Sequence, residues 1–516
     1  MNNRIFTFLF LLSLANIAIA QVHVCGVTHD DQAEMISFID NFNKTSDQST
    51  IRSVDPLYVP IRFHMTANND GTGRIKAAKV LNQMTVLIEA YQELGIYPYI
   101  DDASFNYLNS TSIYNKPGNF VNTIIGKKDA NAVNIFITEN ANPPGSDDDA
   151  GVVLGFYNPG GDYIIIRNND VLNATSSLTH ELGHFFALPH TFFGWENVYA
   201  FYGWVSSQGQ VLPWDVNQFN NMYTNNTAGG SNELAELMDQ SNCTGSADRI
   251  CDTPPDYNFG FGAGGCAWNN GLRDKNGDVI DPMENNIMSY FGDCDPYEFT
   301  DGQVAVMSSN FNSTVRQHLR TGYIPDTTII ESNHELVTPG NAEKLEYYNN
   351  ILLDWTDADG ASNYLVSINT SQGDFNEYYV TESELFFEEL VPNVLYFWDV
   401  QPFNEGYTDA KSESSFFTAG DALDTSVKES ELIQNVSVFP NPGNIGQDIN
   451  IAISMEKSTN VSISLIDITG KIITTESQNL NQGNNTIRLD AMASSGIYIL
   501  KLDTEDGSIH KKIVIR

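Results

Sequence analysis

Three histidines in the segment SSLTHELGHFFALPH have the spacing of metal ligands. On a helix, His180 and His184 lie one turn apart and project from the same face, so their imidazoles can bind one metal ion. His190 can be the third ligand if the helix ends soon after His184. Leu188 and Pro189 favour such an end, because the residue before a proline disfavours helix. Three neutral nitrogens and an open fourth position are typical of a catalytic zinc site.

Glu181 directly follows the first of these histidines. Zinc polarises a carbonyl group and lowers the pKa of a bound water towards about 7, and a neighbouring carboxylate can pass the proton of that water to a leaving amine. The four residues therefore predict zinc-assisted hydrolysis of an amide bond, with Glu181 as the catalytic base, and they leave open whether the substrate is a peptide or another amide or ester. The same spacing also occurs on core helices that bind no metal, but the third histidine favours the zinc site.

Length and charge limit the classes of partner. The chain has 516 residues, which predicts about three domains. Its 65 acidic and 26 basic side chains give a formal net charge of -39, which repels nucleic acid and anionic lipid surfaces, so we exclude both as partners. The acidity either keeps the surface soluble or supplies carboxylates for calcium.

The first twenty residues have the pattern of a signal peptide, with Arg4 before an apolar run that ends at Ala18, Ile19 and Ala20. No later segment reaches about 18 uninterrupted apolar residues, so we expect no membrane span in the mature protein. Residues 21–54 are polar and show little strand or helix pattern, and we interpret them as a pro-segment. The protein should be secreted, either free outside the cell or at its surface.

The histidine segment lies in a predicted domain at residues 55–325. Strand patterns occur in YVPIRFHM, NAVNIFIT, GVVLGFY and DYIIIR, and the segment RIKAAKVLNQMTVLIEAYQEL has the apolar spacing of an amphipathic helix. The last of these strands leads into the helix that carries His180. Strands that alternate with helices predict an α/β or α+β domain.

Two smaller all-β domains should follow. Residues 331–420 consist of short strand patterns between turn residues, and Trp355, Tyr364, Tyr396 and Trp398 are placed as in a fibronectin type III sandwich, which this segment resembles. Residues 434–516 alternate apolar and polar side chains, which predicts a second β-sandwich.

This last segment resembles the C-terminal sorting domain of Bacteroidetes type IX secretion. The matching residues include Pro440, Asn441, Pro442, Gly470 and Tyr498, and the chain ends on a basic stretch. The resemblance implies the type IX secretion machinery as a partner and export across the outer membrane.

Five cysteines leave one without an intramolecular partner if the others form disulfides, which export permits. Four of them lie within about fifty residues, whereas Cys25 stands alone near the start. The simplest arrangement has local disulfides, with Cys243 bonded to Cys251 and Cys266 bonded to Cys294.

The segment NNIMSYFGDC completes a resemblance to the pappalysin family of metzincin peptidases. The resemblance covers about residues 55–320 and rests on HELGHFFALPHTF, CDTPPD, NIMSY and FTDGQVAVM. It implies that Met288 forms the hydrophobic floor beneath the three imidazoles and that Tyr290 donates a hydrogen bond to the tetrahedral oxyanion. Each of these side chains could instead be ordinary core packing.

One position departs from the family pattern, because Ala187 stands where the family has glycine. Glycine there lets the chain leave the helix with a positive φ, a conformation that costs alanine roughly 1 kcal/mol. The turn is therefore either strained or differently shaped. We expect zinc still to bind, since zinc sites can provide about 10 kcal/mol or more.

The resemblance also implies calcium near the CDTPPD segment, where Asp248, Asp252 and Asp256 supply hard oxygen ligands. Basic specificity after the scissile bond is a further implication, because Asp293 and Asp295 could shape an acidic pocket. Surface charge explains these last two aspartates equally well.

Cys25 has a possible role in latency. The region around it resembles cysteine-switch proenzymes, in which a thiolate binds the zinc and silences the zymogen. The alternative is an unpaired thiol or one that pairs between molecules.

A second class of function has to be weighed against the peptidase. The chain could be an exported adhesin or carbohydrate-binding protein with a degenerate zinc domain, and the Ala187 departure is the feature that supports this. The intact histidine ligands, together with Glu181 and Tyr290, argue against it, since a binding protein needs no catalytic base.

Overall fold

The structure is a computed structural model that describes residues 24–45, 55–146, 153–195, 236–260, 265–268, 274, 276–331, 334–408, 411–422, 430, 432–489, 494–505 and 507–516. The predicted signal peptide (residues 1–20) lies outside these ranges. The chain divides into two compact units. The first comprises Met1–Gly340, Asp354–Leu385 and Phe397–Phe416, and the second comprises Asn341–Leu353, Phe386–Tyr396 and Phe417–Arg516.

Seven α-helices are described, and none of them is long and apolar enough to cross a membrane. They are α1 (His29–Thr45), α2 (Ala77–Gln92), α3 (Thr111–Asn115), α4 (Val121–Ile125), α5 (Asn168–Leu172), α6 (Ser177–Phe185) and α7 (Asp301–Asn312).

The strands fall into three consecutive groups. The first group is β1 (Val24–Cys25), β2 (Leu57–Ala67), β3 (Ile96–Ile100), β4 (Asn106–Asn109), β5 (Val133–Thr138), β6 (Val153–Asn158) and β7 (Tyr163–Arg167). The second is β8 (Leu336–Thr338), β9 (Glu343–Lys344), β10 (Asn349–Trp355), β11 (Asn363–Thr370), β12 (Phe375–Val380), β13 (Glu384–Glu389), β14 (Leu395–Phe403) and β15 (Ser415–Thr418). The third is β16 (Ile433–Phe439), β17 (Ile449–Met455), β18 (Thr459–Asp467), β19 (Ile472–Leu480), β20 (Gly483–Leu489), β21 (Gly496–Thr504) and β22 (Gly507–Ile515).

The first group forms one sheet of the first unit, in the order β1-β6-β7-β5-β2-β3, with β4 paired to β2. Strands β2, β3, β4, β5 and β7 are parallel, whereas β6 runs antiparallel to β7 and β1 runs parallel to β6. Strand β5 is buried along its whole length and β7 along most of it, as expected where both faces of a sheet are covered. Helix α2 packs against β3, and α6 packs against β6 and β7. The predicted strands and helices of the α+β domain are thus confirmed.

The predicted pro-segment contains more helix than its sequence pattern suggests. The expectation of little helix in residues 21–54 is wrong for their central part, because α1 spans His29–Thr45. The Asp31 N–H donates to Thr28 Oγ1 (3.2 Å), and the Thr28 N–H donates to the Asp31 carboxylate (3.0 Å). This reciprocal capping box stabilises the first turn. The buried apolar side chains follow the spacing of one helix face, at Met35, Ile36, Ile39 and Phe42.

The two predicted disulfides are present in the irregular region between α6 and α7. Cys243 is bonded to Cys251 and Cys266 to Cys294, and Cys25 is a free, partly buried cysteine. A small hydrophobic cluster in the same region includes Phe192, Trp195, Tyr257 and Phe291.

The second group of strands forms the fibronectin-like region, with sheet orders β13-β10-β8 and β12-β11-β14-β15-β9. The Val391 N–H donates to the Tyr396 hydroxyl (2.9 Å), as in a tyrosine corner. Strands β11 and β12 and most of β14 belong to the first unit. A separate domain with limits at 331 and 420 remains a prediction.

The third group forms a β-sandwich in the second unit, with sheet orders β16-β17-β20 and β19-β18-β21-β22. Its hydrophobic cluster is drawn from residues 433–515. Side chains of β17 alternate between buried and partly buried, which is the period of two expected for this segment. An α+β domain followed by β-sandwich regions is therefore the observed fold class.

Candidate metal centre

Helix α6 places His180 and His184 on one buried face. Every side chain from Leu178 to Phe185 is buried, and the two imidazole centroids lie 4.7 Å apart. A Cβ atom added at Gly183 would lie 2.5 Å from the Sδ of Met288. The absence of a side chain at Gly183 therefore lets the fully buried Met288 pack directly against this helix.

The helix ends in a left-handed turn at Ala187, whose φ is 68°. The Leu188 N–H donates to Gly183 O (3.0 Å), and the Ala187 N–H donates to His184 O (3.0 Å). These are the two hydrogen bonds of a Schellman motif, which glycine usually completes. The chain thus makes the turn with the expected positive φ in spite of alanine, and His190 follows directly after it.

Hydrogen bonds fix the orientation of two of the histidines. His180 Nδ1 lies 2.7 Å from Ile287 O, and His184 Nδ1 lies 2.7 Å from Leu188 O. A carbonyl oxygen can only accept, so Nδ1 carries the proton and Nε2 keeps its lone pair. Burial lowers the pKa of His180 to about 4 and lowers the pKa of the other two histidines well below the ordinary value, which favours neutral rings.

The nitrogen atoms of the three rings converge on one point. His184 Nε2 and His190 Nε2 lie 3.2 Å apart, and the buried His180 Nε2 has no hydrogen-bond partner among the described residues. One donor atom from each histidine, together with the Cys25 sulfur, lies within 4.8 Å of the others. Nitrogen and sulfur donors at this separation fit a tetrahedral zinc ion.

Cys25 reaches this point because strand β1 pairs with strand β6. Cys25 lies opposite Gly155, and the Gly26 N–H donates to Gly155 O (2.8 Å). Burial, and then the neighbouring Glu181 carboxylate, raise the pKa of the Cys25 thiol well above its ordinary value. A positive ion at the site would oppose both effects and favour the thiolate.

Glu181 is buried beside these donors. Its Oε2 atom has no hydrogen-bond partner among the described residues, and burial raises its pKa to about 8. A Cβ atom added at Gly155 would lie 3.1 Å from Glu181 Cγ, so β6 packs closely against the carboxylate side chain.

Tyr290 borders the same site. Its hydroxyl accepts a hydrogen bond from the Cys25 N–H (3.1 Å), and its ring centroid lies 4.9 Å from that of His190 and 4.7 Å from that of Phe192. The structure thus brings together all of the predicted zinc, base, Met-turn and switch residues.

These findings agree with comparisons of the sequence. Residues 119–199, which include the three histidines and Glu181, match the pregnancy-associated plasma protein-A peptidase family. The chain carries a pappalysin-type metallopeptidase domain. Residues 437–516 match the secretion system C-terminal sorting domain. The peptidase domain implies protein substrates, and the sorting domain indicates type IX secretion to the cell surface or the extracellular space.

Solved structures with similarity to the chain include a point mutant of Tannerella forsythia promirolysin. It is 16% identical with a TM-score of 0.36, over 57% of this chain and 92% of that chain. The FN1-FN3 domains of chicken CNTN1 are 13% identical with a TM-score of 0.15, over 37% of this chain and 65% of that one. A segment of two fibronectin type III domains from chicken tenascin is 10% identical with a TM-score of 0.14, over 36% and 99%. A search of curated proteins gave no match.

Among the described residues, the three aspartates near the CDTPPD segment form no metal-ligand group with the histidine cluster or with each other. In the part of the chain that the structure describes, the group of three or more side chains suited to a metal is Cys25 with the three histidines. Asp248 accepts hydrogen bonds from the Ile250 N–H and the Thr253 hydroxyl, and the exposed Asp252 accepts from Thr300 and Gly302 at the start of α7.

Asp256 has a role that its sequence position did not predict. Its carboxylate accepts from the Thr191 hydroxyl (2.8 Å) and the Ser289 hydroxyl (2.6 Å), which neighbour His190 and Met288. Asp256 therefore links, through these two hydrogen bonds, the loop that carries His190 to the turn that carries Met288. The family resemblance implied a calcium ligand at this position instead, and no local pattern distinguishes the two roles.

Gln32 is a further site residue that was missed. The Gln32 Oε1 atom of helix α1 accepts a hydrogen bond from the His190 N–H (2.9 Å). The capping pair Thr28 and Asp31 followed by apolar residues at helical spacing could have predicted α1, but not this contact. Asp293 and Asp295 lie exposed on either side of the disulfide-bonded Cys294.

Proposed function

We propose that this protein is a secreted zinc metalloendopeptidase in which His180, His184 and His190 bind the metal and Glu181 is the general base. The observation that carries the proposal is the convergence of three imidazoles on one buried point beside a Glu181 carboxylate oxygen that has no hydrogen-bond partner among the described residues. Structural burial alone does not account for such an arrangement, because buried polar atoms usually have hydrogen-bond partners.

Zinc bound at this point would polarise the scissile carbonyl and make water acidic enough to react near neutral pH. Glu181 would take a proton from the attacking water and hand it to the leaving amine, since its buried carboxylate lies one residue from His180. Tyr290 would donate its hydroxyl hydrogen to the oxyanion that forms on the substrate. Met288 would hold the helix in place from below.

We propose further that the pro-segment keeps the enzyme latent. Strand β1 pairs with strand β6 and places the Cys25 sulfur beside the three imidazoles. The Gln32 side chain accepts a hydrogen bond from the His190 N–H. The Cys25 thiolate would then fill the position that the attacking water needs. Replacement of Cys25 by alanine in the full-length precursor should produce activity without processing, and unchanged latency would exclude this role.

Two finer predictions remain for this site. A preference for Arg or Lys after the scissile bond would depend on Asp293 and Asp295, whose exposure leaves them accessible to a substrate. Calcium remains a prediction at Asp248, whose pKa is raised by burial to about 8, and the Asp248 carboxylate adds to the larger effect of burial that raises the pKa of Glu236 to about 10.

The direct test is cleavage of a proteome-derived peptide library by the chain from residue 55 onward, read by mass spectrometry. Cleavage that disappears in Glu181→Ala and after zinc chelation would support the peptidase, and the cut sites would reveal the specificity. Folded, zinc-loaded protein that cleaves nothing would favour the alternative, an exported adhesin or carbohydrate-binding protein.

A further inference from the structure

Three strands of the fibronectin-like region are packed into the peptidase domain. Leu365 of β11 and Phe403 of β14 are almost fully buried and belong to the same hydrophobic cluster as Leu182 and Met288. The ring of Phe403 stacks on that of Phe105, with centroids 6.4 Å apart. Independent domains normally have separate hydrophobic cores, so this shared cluster indicates that the strands pack as part of the peptidase domain.

Polar contacts reinforce this packing. The Ile100 N–H at the end of β3 donates to Glu405 O (2.7 Å), and the Glu405 carboxylate accepts from the Asp326 N–H (2.9 Å) and the Tyr323 hydroxyl. The Tyr379 hydroxyl of β12 donates to Ala103 O. These bonds use backbone groups of the α/β domain that would otherwise need water.

Glu377 of β12 makes the most informative of these contacts. Its carboxylate accepts from the N–H groups of Ala77 (2.7 Å) and Ala78 (3.1 Å), the first two residues of α2. The N-cap residue of α2, Lys76, provides no side-chain cap. The first N–H groups of a helix lack partners within the helix, and negative charge is stabilising there. Glu377 therefore caps α2 from another part of the chain.

Helix α2 in turn holds the zinc helix. The buried Tyr91 hydroxyl donates to Thr179 O (2.9 Å), next to His180, and the Gln83 side-chain amide donates to Thr175 O (3.0 Å) just before α6. Glu377 is thus connected to the residues beside His180 through helix α2, by hydrogen bonds at the start of the helix and near its end.

We propose that strands β11, β12 and β14 are a built-in support of the peptidase domain, and that Glu377 is a positioning residue that fixes α2 and through it the zinc helix. The effect on catalysis rests on the proposed zinc peptidase function, whereas the structural support does not. The face of these strands that packs on the α/β domain is then occupied by the chain itself and serves no external ligand.

Hydrogen exchange of the full chain, read by mass spectrometry, tests this support. In Glu377→Ala, exchange should become faster in the first turn of α2 and also across residues 175–180, and the unfolding temperature should fall by about 2 °C or more. Glu384→Ala is the matched control, since Glu384 is exposed on β13, the next strand along the chain. If Glu377→Ala does not fold, Glu377→Gln should give smaller changes at the same places.

Peptide hydrolysis provides the second measurement. A positioning role predicts that Glu377→Gln lowers kcat and leaves KM and the zinc content unchanged at temperatures well below unfolding. Exchange that changes in β12 alone, or equally in Glu377→Ala and Glu384→Ala, would overturn the proposal. If the parent chain hydrolyses no peptide, the proposed function fails, and the exchange result still decides whether the strands support α2.

Discussion

The histidine set (His180, His184 and His190) and the aspartate set (Asp248, Asp252 and Asp256) differ in how the fold uses them. The histidine rings converge with the Cys25 sulfur, and the Nε2 atom of His180 and the Nδ1 atom of His190 have no hydrogen-bond partner among the described residues. The aspartates instead accept hydrogen bonds from separate protein donors. Residues of types that bind metals therefore indicate a metal site when one secondary-structure element fixes their geometry. Helix α6 does this for His180 and His184, which are four residues apart.

The largest expected effect is a loss of zinc, which distinguishes the histidine set from the aspartate set. His184→Ala should lose bound zinc and all peptide hydrolysis, because two nitrogens hold zinc much less tightly than three. Asp252→Ala should keep its zinc, since Asp252 caps α7 instead. Metal analysis of both purified variants checks this, and zinc retained in His184→Ala would break the comparison.

The role of Asp256 sharpens the comparison. Asp256→Asn should destabilise the fold by about 3 kcal/mol, because two buried hydroxyl donors lose a charged acceptor. It should also weaken zinc binding about 10-fold, as the loss of groups that orient ligands does. Urea unfolding and competition with a chelator measure the two effects.

Asp252→Asn is the control for this prediction, since Asp252 is exposed and should cost less than about 1 kcal/mol. Equal losses in the two variants would contradict the role assigned to Asp256.

Calcium gives a smaller expected effect. Burial raises the pKa of both Asp248 and Glu236, the Asp248 carboxylate raises that of Glu236 further, and a divalent cation would relieve this repulsion. A calcium-selective chelator should therefore lower the unfolding temperature by about 4 °C, and Asp248→Asn should no longer respond. If the parent chain shows no shift, the calcium prediction is wrong.

The smallest effect concerns the turn that positions His190. Ala187→Gly should stabilise the fold by less than about 1 kcal/mol, because relief of the positive φ is partly offset by the greater freedom of glycine in the unfolded chain. Ala305→Gly, within helix α7, should destabilise it by about 1 kcal/mol. Thermal unfolding compares the two, and a loss in both would contradict the strain at Ala187.

The clustering of the three histidines could be predicted from sequence because its parts are local. The spacing of His180 and His184, the helix end before Pro189 and the short distance to His190 are all fixed by backbone geometry within a few residues. The disulfides were predictable for a similar reason, since Cys243 and Cys251 are close along the chain.

Contacts between distant segments could not be predicted in this way. Nothing near Gln32 indicates the His190 backbone, and nothing near Glu377 indicates the start of α2. Such contacts depend on how separate elements pack, which a periodic pattern does not specify. Helix α1 is different, because its capping residues and apolar period are visible in the sequence.

X-ray absorption at the zinc edge of the purified full-length precursor tests the central claim most directly. The account predicts a zinc ion with three nitrogen neighbours and one sulfur neighbour, and loss of the sulfur signal alone in Cys25→Ala. A precursor that binds no zinc would contradict the metal centre. Zinc with the same neighbours in both proteins would contradict the part of the account that assigns Cys25 to the metal.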